Sequence, residues 1–228
     1  MMRSHLLSCA LGLLGLGIFV GILGLAGAAH AEPVRPLDRP GIDLAVRVGY
    51  AIPFGDISGD AGNGLASRVD SAVPFVLEAG YRFDAALTLG LYFQYGFLQI
   101  NDNFCGANND CSGSVIRLGI EGLYHFDLHK PIVPWAGLGV GYEWGNIDTS
   151  SALGNGSESA NGWEFLTLQA GGDFHLLPQI AVGPYVSFSV ARYGSGSGRF
   201  GNINFSGDIT NPAVHEWLQL GVRGSFGL

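Results

Sequence analysis

Residues 113–126, GSVIRLGIEGLYHF, alternate between apolar and polar side chains with a period of two. The apolar positions are Ile116, Leu118, Ile120, Tyr124 and Phe126, and the positions between them include Arg117, Gly119, Glu121 and His125. Alternate residues of a β-strand point to opposite faces. The segment therefore predicts a strand with one apolar face and one polar, partly charged face.

The same alternation recurs along the chain and predicts eight strands. They are residues 42–54, 72–83, 86–98, 113–126, 132–144, 162–175, 180–193 and 214–226. The connections between them alternate between long and short, and the long ones are residues 55–71, 99–112, 145–161 and 194–213. Short turns at one end and longer loops at the other are typical of outer-membrane barrels. We therefore predict an all-β fold, an eight-stranded antiparallel up-and-down transmembrane β-barrel over residues 41–228.

The composition excludes two simpler alternatives. Charged residues make up 13% of the 228 residues, whereas an ordinary soluble domain has about 25%. After residue 31 no apolar run approaches the ~20 residues of a helical membrane span. A closed barrel is the remaining structure that satisfies its backbone hydrogen bonds in lipid.

Alternation alone does not say which face points inward, and a soluble lipocalin-like carrier would bury the apolar face. Aromatic residues collect at the strand ends, however, as in the two interfacial girdles of membrane barrels. The predicted outer girdle contains Tyr50, Phe97, Trp144, Trp163 and Tyr193. The predicted inner girdle contains Tyr81, Phe83, Tyr124, Phe126, Phe174 and Phe226. The pattern favours lipid outside and a lumen lined by small and charged residues.

The first 31 residues predict a secretory signal peptide. Arg3 precedes a long apolar run, and Ala29-His30-Ala31 provides a cleavage site after Ala31. A retained membrane anchor is the alternative, since the apolar run is longer than usual. Residues 32–40 contain three prolines and predict an extended periplasmic linker.

The chain resembles the small eight-stranded outer-membrane barrels of the OmpA, OmpX and OmpW types, over roughly residues 42–228. The final strand, residues 217–226 (WLQLGVRGSF), looks like the signal that this family presents to the barrel assembly machinery. Gly227 and Leu228 follow the aromatic at which the family usually ends. The resemblance implies residence in the outer membrane of a Gram-negative bacterium, with membrane lipid around the barrel. Resemblance to the OmpW type implies a narrow conduit for small or hydrophobic solutes.

The predicted inward face carries both signs of charge. These residues are Asp43, Arg47, Glu78, Arg82, Arg117, Glu121, Glu143, Asp173 and Arg223. An eight-stranded barrel is just wide enough for side chains to fill it, and a buried charge is costly unless paired. We therefore predict a network of ion pairs that plugs the lumen, with a gated narrow conduit as the alternative.

Cys105 and Cys111 lie in the second long loop, and we predict that they form a disulfide outside the cytoplasm. Their spacing and the histidine spacing do not match a zinc site. His125, His129 and His175, with Asp127, fall at the periplasmic end, where a metal site is conceivable but turn and interface positions are favoured. We predict no metal and no cofactor.

Charge argues against one class of partner. The net charge is −8 and no Lys/Arg cluster occurs, so we predict no nucleic acid partner. The Ser/Gly/Asn-rich segments 145–161 and 194–213 predict mobile loops suited to an extracellular ligand.

An enzyme acting on lipid would need a Ser/His/acid set at the membrane rim. His215 with Glu216 is the one candidate, and no G-x-S-x-G elbow is present. We therefore predict no enzyme, and a structural or surface-interaction role.

Overall fold

In the computed structural model, the described residues are 40–60, 62–84, 86–106, 109–126, 132–152 and 154–228. The predicted signal peptide, and all of the predicted linker except Pro40, lie outside these residues. No helix in these ranges has the length and hydropathy needed to cross a membrane.

Nine strands and two single-turn helices make up the described chain. The helices are α1 (Leu65–Arg68) and α2 (Asp102–Cys105). The strands are β1 (Gly41–Gly55), β2 (Val69–Arg82), β3 (Leu87–Ile100), β4 (Asp110–His125), β5 (Ile132–Ser151), β6 (Gly154–Leu177), β7 (Ile180–Phe200), β8 (Ile203–Asp208) and β9 (His215–Gly227).

Eight of these strands close into a ring. The order is β6-β5-β4-β3-β2-β1-β9-β7, and an additional β6–β7 pairing joins the two ends. The closing pair β1–β9 runs in antiparallel register from Asp43 opposite Gly227 to Gly55 opposite His215. The prediction of an eight-stranded antiparallel barrel is confirmed. Closure leaves these strands without a free edge within the ring, as a membrane requires.

The predicted direction of the two faces also appears in the exposure of the side chains. Outward apolar side chains such as Leu91, Ile120 and Leu138 are exposed, Leu138 at 61%. Inward charged side chains such as Arg117 and Glu143 are buried, at 2% and 0%. A barrel that kept its apolar face inside, as a soluble carrier would, is inconsistent with this arrangement.

The third and fourth long connections are not the loops that their composition predicts. Residues 145–151 and 154–161 continue β5 and β6 as a paired hairpin, with Gly145 opposite Ala160 and Ser151 opposite Gly154. Residues 195–200 of β7 pair with β6 and also with β8, from Ser195 opposite Asp208 to Phe200 opposite Ile203. Gly, Ser and Asn have low strand propensity, but continuous pairing with neighbouring strands outweighs it here.

Tyr193 corrects the predicted outer girdle. Its side chain is 4% exposed and points into the barrel, as do Ser189 and Ala191 on the same strand. The period of two along β7 places Tyr193 on the inward face. The aromatic residue type suggested a rim position, but the alternation decides its direction.

Candidate functional site

The inner part of the lumen holds a group of paired charges that we call the inner lumen cluster. It consists of Asp43, Arg47, Glu78, Arg82, Glu121, Asp173 and Arg223. Alternation directs each of these side chains inward from its own strand, and closure of the ring brings them together. The structure thus unites seven of the nine charged residues that the sequence assigned to the lumen.

Arg47 lies at the centre of the inner lumen cluster. Its Nη2 lies 3.0 Å from Glu121 Oε2, and its Nε forms an ion pair with Glu78. Its Nη1 donates to Gln169, whose Nε2 in turn donates to Glu121 Oε2 at 2.8 Å. The guanidinium also lies 5.2 Å from the ring centroid of Tyr185. One side chain of β1 thereby links carboxylates of β2 and β4 across the lumen.

Arg223 ties the same cluster to the other side of the ring. Its Nε lies 3.0 Å from Glu78 Oε2, and its Nη1 lies 3.1 Å from Asp173 Oδ2. Trp135 donates its Nε1–H to Asp173 at 3.1 Å, and its ring lies under the Arg223 guanidinium at 5.1 Å. At the inner end, Arg82 Nη2 pairs with Asp43 Oδ2 at 2.6 Å.

A second group, the outer lumen cluster, is built around Arg117, Glu143 and Glu164. Arg117 Nε lies 2.6 Å from Glu143 Oε2 and 3.4 Å from Glu164 Oε2. Its Nη1 donates to Ser189 Oγ at 2.9 Å. Tyr92 donates its hydroxyl to Glu164 Oε1 at 2.6 Å. The two remaining charged residues assigned to the lumen, Arg117 and Glu143, therefore pair with each other.

Glu143 gathers two further partners. The hydroxyl of Tyr193 donates to Glu143 Oε1, and His215 Nε2 lies 3.0 Å from the same oxygen. The rings of Tyr193 and His215 stack with their centroids 4.2 Å apart. His215 is fully buried, so it does not lie at the membrane rim, where the alternative of a lipid-acting enzyme would need it. Its contacts are those of a packed lumen residue.

Glu164 is a buried lumen residue that strict alternation from Asp173 would place on the outward face. The register of β6 against β7 shifts between Glu164 and Leu166. A bulge of this kind inserts one extra residue, so the alternation between the two faces reverses there. Thr167 and Gln169 point inward on one side of the bulge, and on the other side the inward positions include Glu164. Glu164 therefore points inward and is buried.

Very little space remains among the inner charges. A cavity bordered by Glu78, Glu121 and Arg223 has a volume of about 10 Å³. A single water needs roughly 10–15 Å³ on the same measure. The geometry therefore offers paired charges and close packing at this level.

Above the outer lumen cluster the interior becomes apolar. A buried cluster of Ala51, Leu65, Val69, Ala72 and Trp217 lies there. It borders a cavity of about 380 Å³, which we call the mouth cavity. Its wall includes Leu65, Val69, Leu98, Val115, Tyr193 and Trp217, and its rim includes Arg68, Glu158 and Asp208. Arg68 Nη1 pairs with Glu158 Oε2 across the rim at 2.9 Å.

Cys105 and Cys111 form a disulfide at the end of α2, with an S–S distance of 2.13 Å and Cα atoms 5.9 Å apart. Phe104 in the same helix lies under the Arg68 guanidinium, 5.1 Å from it to the ring centroid. The loop that carries the disulfide is thereby joined to the rim of the mouth cavity.

The histidines at the inner end do not come together as a metal site within the described residues. His125 Nε2 lies 3.7 Å from Asp173 Oδ2. No group of three or more His, Cys, Asp or Glu suited to a metal occurs in the part of the chain that the structure describes. His129 and Asp127 lie outside that part.

The other predicted girdle residues lie on the outer surface of the barrel. Those exposed are Tyr50, Tyr81, Phe83, Phe97, Tyr124, Phe126, Trp144, Trp163, Phe174 and Phe226. Pairs form at both ends: Tyr124 and Phe126 have centroids 4.9 Å apart, and Tyr142 lies between Trp144 and Trp163 at 4.8 and 5.2 Å.

Comparison with known proteins supports the architecture. A family profile described as outer membrane protein beta-barrel domain matches residues 17–211. No curated protein sequence matches the chain.

Two solved structures with TM-scores above 0.5 are similar in fold, and a third matches with a lower score. OprG from Pseudomonas aeruginosa is 16% identical with a TM-score of 0.53, covering 85% of this chain and 100% of that chain. A major outer membrane protein from Thermus thermophilus is 14% identical with a TM-score of 0.52, covering 82% and 100%. The outer membrane protease OmpT from Escherichia coli is 8% identical with a TM-score of 0.48, covering 89% and 99%. At these identities the similarity concerns the fold alone.

Proposed function

Because the chain belongs to the outer membrane protein beta-barrel domain family, a barrel family of the Gram-negative outer membrane, we propose that it works as a closed barrel. In this proposal the membrane part is a rigid support, and the outer sheet binds a partner. The observation that carries the proposal is the pairing of charges across the full width of the lumen.

The lumen contacts support closure at two levels. The inner lumen cluster joins β1, β2, β4, β6 and β9 through charged side chains, and the outer lumen cluster joins β4, β5 and β6. An ion that crossed the barrel would have to separate charges that lie 2.6 to 3.1 Å apart. Separating a buried pair leaves an uncompensated charge, which is strongly unfavourable.

The outer part of the barrel supports the interaction role. Beyond the aromatic residues at the outer end of the barrel, β4 to β8 continue as a sheet, and β8 lies at its edge. Every residue of β8 is exposed, including Ile203 and Phe205. A strand edge with exposed apolar residues offers main-chain hydrogen bonds to another extended segment.

Charge specifies the kind of segment that would pair with this edge. The outer segments 55–70, 101–110, 145–161 and 194–214 contain eight Asp or Glu and two Arg. Charge complementarity therefore favours a basic polypeptide. We take the partner to be an extended basic segment of a protein outside the cell, added as a further strand beside β8.

Conductance tests the closed lumen. Wild-type protein and Arg117→Ala are inserted separately into planar lipid bilayers, and both should show no stable ohmic steps. Arg117→Ala removes the cation between Glu143 and Glu164 but leaves the inner lumen cluster intact. Steady ohmic conductance in the wild type would overturn the closed lumen and favour the narrow conduit for small or hydrophobic solutes.

Peptide binding tests the edge. An alternating Lys-Val peptide should bind protein in lipid nanodiscs, whereas an alternating Glu-Val peptide or a Lys-Val peptide with central prolines should not. Phe205→Lys should weaken binding at least tenfold, because it places a like charge on the docking edge. Ser112→Lys, on β4 at the opposite side of the same sheet, adds the same charge away from β8 and should bind as the wild type does. Equal binding of all peptides would contradict strand addition.

Two further proposals concern export and assembly. We propose that residues 1–31 are removed, so that protein purified from outer membranes begins at Glu32 by mass spectrometry. We propose that β9 is presented to the barrel assembly machinery. This is supported by its position, since β9 closes the ring by pairing with both β1 and β7. Phe226→Ala should then reduce the amount of heat-modifiable barrel in the outer membrane, relative to Leu228→Ala.

A further inference from the structure

Two arginines of β7, Arg192 and Arg199, differ from those of the lumen. Both side chains are exposed, and within the described part of the chain neither lies within ion-pair distance of a carboxylate. Every arginine of the two lumen clusters, by contrast, is paired with at least one carboxylate. Two exposed cations without an acidic partner are available to an anion from outside the chain.

Arg192 lies at the level of the outer aromatic girdle and points to the lipid side. Its neighbours along β7, Ala191 and Tyr193, are buried inside the barrel, so alternation turns Arg192 outward. It is opposite Trp163 of β6, which is 63% exposed. Its guanidinium lies 5.5 Å from the ring centroid of Phe165. Interfacial aromatic residues lie at the depth of the lipid headgroups, so Arg192 is at the depth of the lipid phosphates.

Glu216 is an acidic residue of the neighbouring strand that does not compensate Arg192. It lies on β9, opposite Val190 of β7. Its Oε2 lies against Gly55 of β1, which pairs with β9 on the side away from β7. The carboxylate is therefore directed away from Arg192, whose charge is left for another anion.

Above the girdle the same outward face changes from apolar to polar. Tyr142, which packs between the girdle tryptophans, donates its hydroxyl to Asn161 Oδ1 at 2.6 Å. Ser195 Oγ donates to the same oxygen at 2.9 Å. Further along the two strands, the hydroxyls of Ser159 and Ser197 lie 2.7 Å apart. The outward surface next to the lipid thus becomes a surface of hydroxyl and amide groups.

A recess on this polar face, which we call the outer recess, surrounds Arg199. It has a volume of about 480 Å³, and its lining includes Ser157, Ser159, Ser197, Arg199, Asn204 and Ser206. Arg199 is the one charged residue that borders it in the described part of the chain. Asp148, opposite Ser157, and Asp208, opposite Ser195, lie beside it. Hydroxyl, amide and guanidinium groups together suit the hydroxyls and acidic substituents of a sugar.

The spacing of the two arginines limits the kind of lipid. The seven residues from Arg192 to Arg199 correspond to roughly 20 Å along an extended strand. The headgroup layer of one bilayer leaflet is only about 5–8 Å thick. A phospholipid headgroup at Arg192 would therefore not reach Arg199, whereas an oligosaccharide attached to a lipid would.

We propose that the outward face of β6, β7 and β8 binds the headgroup of a phosphorylated glycolipid in the outer leaflet. Arg192 binds a phosphate near the lipid surface, since a guanidinium donates two parallel hydrogen bonds to a phosphate. Arg199 and the serines of the outer recess bind the sugars beyond it. The acyl chains lie against the apolar wall below Trp163. This site is separate from the edge of β8 and adds a second partner at the outer end of the barrel.

Native mass spectrometry of the full chain, refolded in detergent, counts bound lipids and measures their affinities. The probes are deep-rough lipopolysaccharide, the same lipid after enzymatic removal of its phosphates, and phosphatidylglycerol. One lipopolysaccharide should bind per barrel, roughly tenfold or more tightly than either of the other lipids. A factor of this size corresponds to one hydrogen bond between charged groups.

Three variants locate the site. Arg192→Gln should weaken lipopolysaccharide binding roughly tenfold or more and remove the difference between the phosphorylated and dephosphorylated lipids. Arg199→Gln should weaken lipopolysaccharide binding by about the same factor and leave phosphatidylglycerol binding unchanged. Arg68→Gln is the matched control, because it removes the same charge at the rim of the mouth cavity, and it should bind as the wild type does. The shift between unboiled and boiled gel bands checks that each variant is folded.

Three results would overturn the proposal. Equal lipopolysaccharide binding by the wild type and Arg192→Gln would exclude the phosphate contact. Phosphatidylglycerol binding as tight as that of lipopolysaccharide would mean a phospholipid site without a sugar contact. A loss in Arg68→Gln as large as that in Arg192→Gln would mean that binding follows the total charge of the protein rather than the outward face.

Discussion

The membrane part of the lumen and the outer mouth are built from the same strands but filled in opposite ways. The lumen contains Arg and carboxylate side chains that are at most 5% exposed in most pairs, with Arg82 at 15%. The mouth contains an apolar cluster, and the ion pair at its rim is far more exposed, with side chains at 25% and 56% for Arg68 and Glu158.

The difference shows how the consequence of an ion pair depends on its surroundings. Breaking a buried pair by removing one partner leaves a charge that neither water nor protein compensates. Breaking an exposed pair returns both groups to water, and such pairs contribute roughly 0–1 kcal/mol. Removal of one partner should therefore destabilise the protein strongly in the lumen and weakly at the rim.

Of the substitutions considered, Arg117→Met should cause the largest loss of stability. It leaves Glu143 and Glu164 buried without their shared cation, and we expect a loss of about 3–5 kcal/mol in the free energy of unfolding. Urea unfolding of the lipid-reconstituted barrel, followed by tryptophan fluorescence, measures it. Arg68→Met is the matched control at the rim and should cost less than about 1 kcal/mol. Similar losses in the two variants would show that burial does not separate the two regions.

Removal of the disulfide should cause the second largest loss of stability. Cys105→Ser with Cys111→Ser opens a ring closed over a sequence separation of 6, and the chain-entropy model assigns such a small ring about 2 kcal/mol or less. We expect the loss to appear as faster protease cleavage near α2, with the unboiled gel band unchanged. Loss of the heat-modifiable band would mean that the disulfide supports the lumen as well as the outer loop.

Tyr193→Phe tests the corrected position of this side chain. It removes one hydrogen bond to Glu143, which keeps Arg117 and His215, and we expect a loss of about 1 kcal/mol in unfolding free energy. Tyr50→Phe, on the exposed outer wall, is the control and should have no measurable effect. If the two substitutions behave alike, Tyr193 is not a lumen residue in the membrane.

Asp84, in the turn between β2 and β3, should show the smallest effect. Its Oδ1 accepts hydrogen bonds from the backbone N–H groups of Leu87 and Ala86, each at 2.8 Å, and these bonds lower its pKa from 3.8. Its contribution to stability is therefore present above pH 3.8 and is lost as the pH falls through the lower folded-state pKa.

Asp84→Asn should keep the turn but remove this pH dependence, because the amide oxygen accepts hydrogen bonds without titrating. Thermal unfolding of both proteins between pH 5 and 2 measures the difference, in roughly the interval where a lowered aspartate titrates. Parallel pH profiles would contradict the assigned role of the Asp84 carboxylate.

The sequence could predict the direction of the side chains in the candidate site but not their partners. The direction of the side chains could be predicted, because alternation placed Arg47, Glu78 and Arg223 inward before any partner was known. The partners could not be predicted, because Arg47 bonds to Glu121, which is 74 residues away in the sequence, and to Gln169, which is 122 residues away. Such contacts depend on which strands face each other across the closed ring. The mouth cavity was also not predicted, since its wall joins residues of α1 with residues of several strands.

By itself the sequence determined which segments become strands and which face of each meets lipid, because a period of two is a local property of the chain. It also determined that the lumen would contain both signs of charge. Only the tertiary structure decided that residues 145–151 and 154–161 form paired strands, since ladder hydrogen bonds with neighbours outweigh the weak strand propensity of Gly, Ser and Asn. The tertiary structure likewise turned Glu164 inward, because a bulge shifts the phase of β6 at that point.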